Sequence, residues 1–175
     1  MSRKRLIVVV VVAVALAAGL GAWWARPRVA EGSLIGAGDG MTWANDGVED
    51  TRMLVRGRQT GPVTATFSIR NDGRLPFSVE GLDVSDEGDW LAQQTVTFVA
   101  GLPGDDPTVK PVDRITLGRG EEATVNWSMD MSSAESLGEG DIVEIDALRF
   151  RLSWLGLPRT GELLLDQPIT FVGPI

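Results

Sequence analysis

Three stretches of the chain alternate apolar and polar residues with a period of two, and that period is incompatible with a helical domain. Val63, Ala65, Phe67 and Ile69 stand against Thr64, Thr66, Ser68 and Arg70. Ala123, Val125, Trp127 and Met129 stand against Thr124, Asn126, Ser128 and Asp130, and Leu148, Phe150, Leu152 and Trp154 against Arg149, Arg151 and Ser153. Successive side chains of a strand point to opposite faces, so each stretch offers one face to a core and the other to water.

Turn chemistry separates further segments of the same kind. After the first stretch, Asn71, Asp72 and Gly73 supply residues suited to a reversal, and Pro76 lacks the N–H a ladder would need. Phe77 and Val79 restart the alternation, while Leu82 and Val84 fall out of phase with them, which predicts a bulge at Gly81. Shorter strands are expected at 52–56, 95–100 and 115–117. A last strand is expected over 162–171, after a turn in "LGLPRTG", with Pro168 marking it as an edge. Residues 100–111 form a loop rich in Gly, Pro and Asp, and Ser132 and Glu135 have the spacing of a capping box for one helical turn before Gly138 and Gly140. Seven to nine short strands with almost no helical period predict an all-β, antiparallel sandwich.

The N-terminus is of another kind. Leu6 to Trp24 contains no charged residue, about the length a helix needs to cross a bilayer. Arg3, Lys4 and Arg5 precede it, and Trp23 and Trp24 follow as interfacial aromatics, so the expected topology is N-terminus cytoplasmic and C-terminal domain extracytoplasmic. A cleaved signal peptide is the competing reading, with Ala15, Ala17 and Ala22 as small residues for a peptidase. Lipidation at a cysteine is excluded, because the chain has none. The expected organisation is a cytoplasmic tip and transmembrane anchor at 1–28, a flexible linker at 29–50 and an immunoglobulin-like β-sandwich at 51–175. The Gly- and Ala-rich residues 27–40 read as a tether, with an irregular first strand around Leu34 and Ile35 as the alternative.

The stretches "FSIRNDGRLPFSV", "ITLGRGEEATVNWSM" and "LRFRLSWLGLPRTGELLLDQPITF" together resemble the immunoglobulin-like extracytoplasmic domains of membrane-anchored actinobacterial proteins. The resemblance spans roughly residues 60 to 172 and implies a fold and an address. It brings no catalytic residues, and the cysteine framework of antibody domains is absent. The preference for Arg over Lys, with abundant Ala, Gly and Val, agrees with a high-GC bacterial genome.

Composition limits the chemistry. The net charge is −8 and every charge in residues 1–28 is positive, so the exported part is more acidic than the whole, and nucleic acid and anionic lipid surfaces are poor partners on that ground. No histidine and no cysteine are present, which removes the commonest general base, thiol catalysis and the usual zinc ligands. Lys110 reads as a solvated loop charge, not half of a Ser–Lys dyad. Asp83, Ser85, Glu87 and Gly88 match the opening of a calcium loop, but Gln94 replaces the bidentate glutamate, so residues 83–89 read as an ordinary acidic loop. Residues 104–107, "GDDP", read as a turn. Trp127 and Trp154 share the apolar phase of their strands and read as core, whereas Trp90 stays open between core and binding face.

No catalytic, cofactor-binding or metal residue is therefore expected. The expected function is a membrane-anchored, non-catalytic binding or accessory module of the bacterial cell envelope, held by residues 6–24 and partnered by another envelope protein. A subunit of a larger membrane complex and an envelope hydrolase using carboxylates are the alternatives.

Overall fold

A computed structural model describes residues 3–45, 51–56, 61–84, 93–103, 108–130 and 138–173. For residues 3–10, Ala18, Ala22 and Asn45 it is the backbone that is described. Among the described residues one helix, α1 (Arg3–Trp24), precedes ten strands: β1 (Val29–Ala37), β2 (Thr42–Asn45), β3 (Thr51–Arg56), β4 (Val63–Asn71), β5 (Phe77–Leu82), β6 (Gln94–Ala100), β7 (Ile115–Leu117), β8 (Glu122–Met129), β9 (Ile142–Trp154) and β10 (Leu157–Val172). They form two sheets, β1-β4-β8-β6 and β2-β3-β10-β9-β5-β7, packed face to face as an all-β sandwich.

The three alternating stretches line the interior as their period requires. Phe67, Ile69, Val125, Trp127 and Met129 enter from the four-stranded sheet, and Leu148, Phe150, Leu152 and Trp154 from the six-stranded one. Phe98 of β6 meets Phe150 of β9 across the gap, with ring centroids 6.4 Å apart. The bulge at Gly81 is present: the β5–β9 register shifts between Val79 and Leu82, and Gly81 has φ 117°.

Of residues 29–50, expected as a flexible linker, 29–45 instead supply β1, at the place of the alternative first strand around Leu34 and Ile35, and β2, while 46–50 lie outside the described residues. In sequence the glycines of β1 read as freedom; in the fold Gly32 is needed for close approach. A Cβ there would meet Glu122 Oε1 and Ser68 Oγ. Glu122 accepts from the Ser33 N–H (2.6 Å), the Ser33 hydroxyl (2.9 Å) and the Ser68 hydroxyl, which ties β1 to β4 and β8. Burial pushes the Glu122 carboxyl up, but these hydrogen bonds, with Arg70 nearby, outweigh it and hold the group below its ordinary value.

Two expectations about the closing strand are also corrected. Its turn is Leu155–Gly156 alone, with Pro158 to Gly161 already inside β10. Pro168 does not mark an edge, since β10 lies between β9 and β3 and pairs with β3 in parallel, so the six-stranded sheet is mixed where wholly antiparallel pairing was expected. The proline is tolerated because it falls within a register shift between Leu164 and Ile169, where no ladder N–H is required. Glu31 of β1 uses the same irregularity, accepting the Asp166 N–H at 2.9 Å and joining the two sheets along one side. Burial chiefly, and the charge of Asp166, raise the Glu31 carboxyl above its ordinary value.

The described side chains of α1 lie outside this core. Val11, Val12, Val14, Leu16 and Leu20 are each more than half exposed. Among the described residues no helix is long and apolar enough to cross a membrane. The expected span, Leu6–Trp24, includes Leu6–Val10, Ala18 and Ala22, whose side chains lie outside those described.

Candidate functional site

The strand order brings the end of α1, the β4–β5 turn and the β9–β10 turn to one end of the sandwich. Val29 at the start of β1 pairs with Asn71 at the end of β4, and Ser78 near the start of β5 pairs with Ser153 near the end of β9. Asn71 fixes the first turn. It is fully buried, and its side-chain amide donates to Leu75 O (3.0 Å) and Leu117 O (2.9 Å) while its oxygen accepts the Gly73 N–H at 2.7 Å. The turn then meets the helix: the Arg74 guanidinium lies 3.1 Å from the Trp24 ring centroid, and Asp72 N–H donates to Arg28 O at 3.0 Å.

The second turn breaks a local rule. Leu155 and Gly156 have φ of 51° and 75°, the two positive values of a type I′ hairpin, where asparagine ordinarily precedes the glycine. A β-carbon in that region costs about 1–2 kcal/mol. Leu155 is also 70% exposed, so neither backbone preference nor burial in the fold explains the residue.

Between these turns and α1 lies a cleft of about 1020 Å³. Trp23, Arg26 and Arg28 border it from the helix side, and Trp154, Arg159 and Glu162 from the β9–β10 hairpin. Trp154 is 5% exposed, yet its indole N–H has no hydrogen-bond partner, an uncompensated donor of a kind that buried sites seldom leave. Of the carboxylates at this end, Asp72 is engaged by Arg70 Nε at 2.8 Å. That bond, opposed by slight burial and assisted by the charges of Arg70 and Arg28, holds Asp72 below its ordinary value. Guanidinium groups and an orphaned indole N–H are all donors. The cleft is chemically suited to an acceptor that carries negative charge.

Of the residues singled out in the sequence, Trp127 and Trp154 are core, as their phase predicts, but only Trp127 is satisfied, donating to Gln94 Oε1 at 2.7 Å. Gln94, placed in sequence at the end of the calcium-like loop, thus serves the core. Asp83 is bound into the fold through Thr160 Oγ1 (2.9 Å) and its own N–H to Arg149 O (2.7 Å). Ser85, Glu87, Gly88, Trp90, the turn at 104–107 and the capping pair Ser132 and Glu135 lie outside the described residues. Lys110 is exposed. Among the described residues no three Asp or Glu side chains gather as a metal site. The arginines of the cleft were missed because they come from separate parts of the chain. The one local signal was Leu155–Gly156 in a position that calls for Asn–Gly.

No family model and no curated protein matches the chain. Solved structures similar to it include a Vibrio cholerae VesB protease, at 15% identity and TM-score 0.34, of which the match covers 32% against 77% of this chain. This chain thus spans about a third of that protein's length. A protein from Archaeoglobus fulgidus is similar at 12% identity and TM-score 0.36, with 82% of this chain and 98% of that one covered. The N-terminal domain of PorA is similar at 16% identity and TM-score 0.28, covering 83% and 97%. At these scores the likenesses carry no argument about function.

Proposed function

We propose that the chain is a single-pass envelope protein in which α1 is an uncleaved anchor and the sandwich, of immunoglobulin-like kind, is displayed outside the cytoplasmic membrane. It acts there as a non-catalytic binding or accessory module. The observation that carries this reading is the exposure of the apolar side chains of α1. A helix that is apolar on every side and packs into no core belongs in hydrocarbon. At about 1.5 Å per residue its uncharged residues, Leu6 to Trp24, reach about 28 Å, close to the thickness of a bilayer core. Arg3, Lys4 and Arg5 then stay cytoplasmic, and Trp23 and Trp24 sit at the outer interface.

Binding to an envelope partner falls to the loops and the sheet edges, among them β2, which carries the exposed Trp43. The experiment is protease treatment of intact, wall-stripped cells with antibodies against both ends of the chain. The C-terminal domain is digested and the N-terminal tip protected if the reading holds. A mature chain beginning near Trp23 in the secreted fraction, or a domain protected until the membrane is permeabilised, overturns it.

A further inference from the structure

The end of the sandwich where α1 enters differs in character from the acidic domain as a whole. It presents Arg26, Arg28, Arg74 and Arg159, with the exposed apolar residues Trp23, Trp24, Leu75, Leu155 and Leu157 between them. Asp72 and Glu162 are the acidic groups nearest the cleft, and Asp72 is neutralised by Arg70. Cations beside apolar tips and tryptophans suit the boundary between lipid headgroups and acyl chains, where guanidinium groups meet phosphate and leucines leave water. Leu155 makes the same point by itself. In water, asparagine would serve both its backbone conformation and its exposure better, whereas in lipid the leucine side chain is solvated.

Resting on the anchored reading above, we infer that this end of the sandwich is a lipid-facing surface: the cleft takes the phosphate of an anionic phospholipid headgroup, and the Leu155–Leu157 tip enters the interfacial layer. Arg28 and Arg159 provide the charge-assisted contacts, and Trp154, whose buried indole N–H has no partner within the protein, forms part of the cleft wall. The net charge of −8 does not report this local grouping of arginines.

The test uses the full chain purified in mild detergent after reconstitution in vesicles of phosphatidylcholine alone or mixed with phosphatidylglycerol, with native mass spectrometry counting retained lipid. The wild-type chain is expected to retain phosphatidylglycerol at least tenfold over phosphatidylcholine. Arg28→Gln combined with Arg159→Gln abolishes that preference while thermal unfolding shows the fold intact. Equal retention of the two lipids, or an unchanged preference in the double variant, overturns the inference. So does displacement of the retained lipid by millimolar inorganic phosphate, which would make free phosphate the ligand. Alkaline carbonate extraction of the same vesicles separates this from failure of the anchor. A chain released by carbonate has lost the anchored reading itself, whereas one that stays bound without lipid preference has lost only the cleft.

Discussion

The two ends of the sandwich interior are each occupied by a tryptophan, and the two are treated differently. Toward the far end, Trp127 lies two residues before the close of β8, flanked by Ala65 of β4 and Val96 of β6, with its N–H given to Gln94. At the α1 end, Trp154 closes β9 with the same core-facing phase, and its N–H is left without a partner beside a cleft. The surroundings follow the same division. Asp39, Asp130, Glu139 and Asp141 decorate the far end, with Arg56 beside them, while the α1 end gathers arginines and exposed leucines around Asp72, Glu122 and Glu162. A satisfied indole marks packing that serves stability. An orphaned one marks a place where stability has been left incomplete, and such a place is where a ligand has something to gain.

The comparison can be broken at Trp127 first. Trp127→Ala is expected to cost about 3–5 kcal/mol, a large share of the roughly 5–15 kcal/mol a domain of this size commonly has. Chemical denaturation checks it, and an unchanged midpoint would remove Trp127 from the core. Gln94→Leu leaves the Trp127 N–H buried without an acceptor and is expected to cost about 1–3 kcal/mol in the same measurement. Trp154→Phe deletes an N–H that already lacks a partner, so its cost is expected to be only about 1 kcal/mol, from lost indole contacts. Equal penalties for Gln94→Leu and Trp154→Phe would erase the distinction between the two ends.

A subtler effect belongs to Glu122, which holds β1 at the α1 end. Its folded carboxyl lies below its ordinary value, so the stability it contributes is present above the unfolded pKa and is lost as pH falls through the lower, folded one. Midpoints measured from neutral into acid pH should therefore fall less steeply in Glu122→Gln than in the wild-type chain. Glu31, raised by burial, acts in the opposite sense: its ionisation disfavours the fold, and that penalty is relieved on acidification. A steeper acid loss in Glu122→Gln would contradict the assigned role of the carboxylate.

What could be read from the sequence was whatever alternation and turn chemistry encode locally. The strands at 63–69, 123–129 and 148–154, the reversal at Asn71–Gly73 and the bulge at Gly81 each depend on residues adjacent in the chain. β1 was legible only as the alternative strand around Leu34 and Ile35, because its residues give no clean alternation and a glycine required for close approach to Glu122 looks the same in sequence as one that confers freedom. The turn in "LGLPRTG" was legible but not its shortness, because Pro158 and Gly161, which read as turn residues, lie inside β10. Pro168 pointed to an edge, since a register shift that makes a proline acceptable in a central strand is a property of pairing and not of composition. The cleft could not be seen at all: its walls come from residues 23, 26–30, 72, 154 and 159–162, which only the strand order brings together.

The absence of cysteine from the chain permits the most direct test of the difference between the ends. Leu155→Cys and Glu139→Cys each introduce a single labelling site, one at the α1 end and one at the far end, both at exposed positions. With a fluorophore at either site and the full chain reconstituted in vesicles containing lipids spin-labelled near the headgroup, strong quenching is predicted at position 155 and background quenching at 139. Equal quenching at the two positions, or stronger quenching at 139, would contradict the assignment of the α1 end to the membrane.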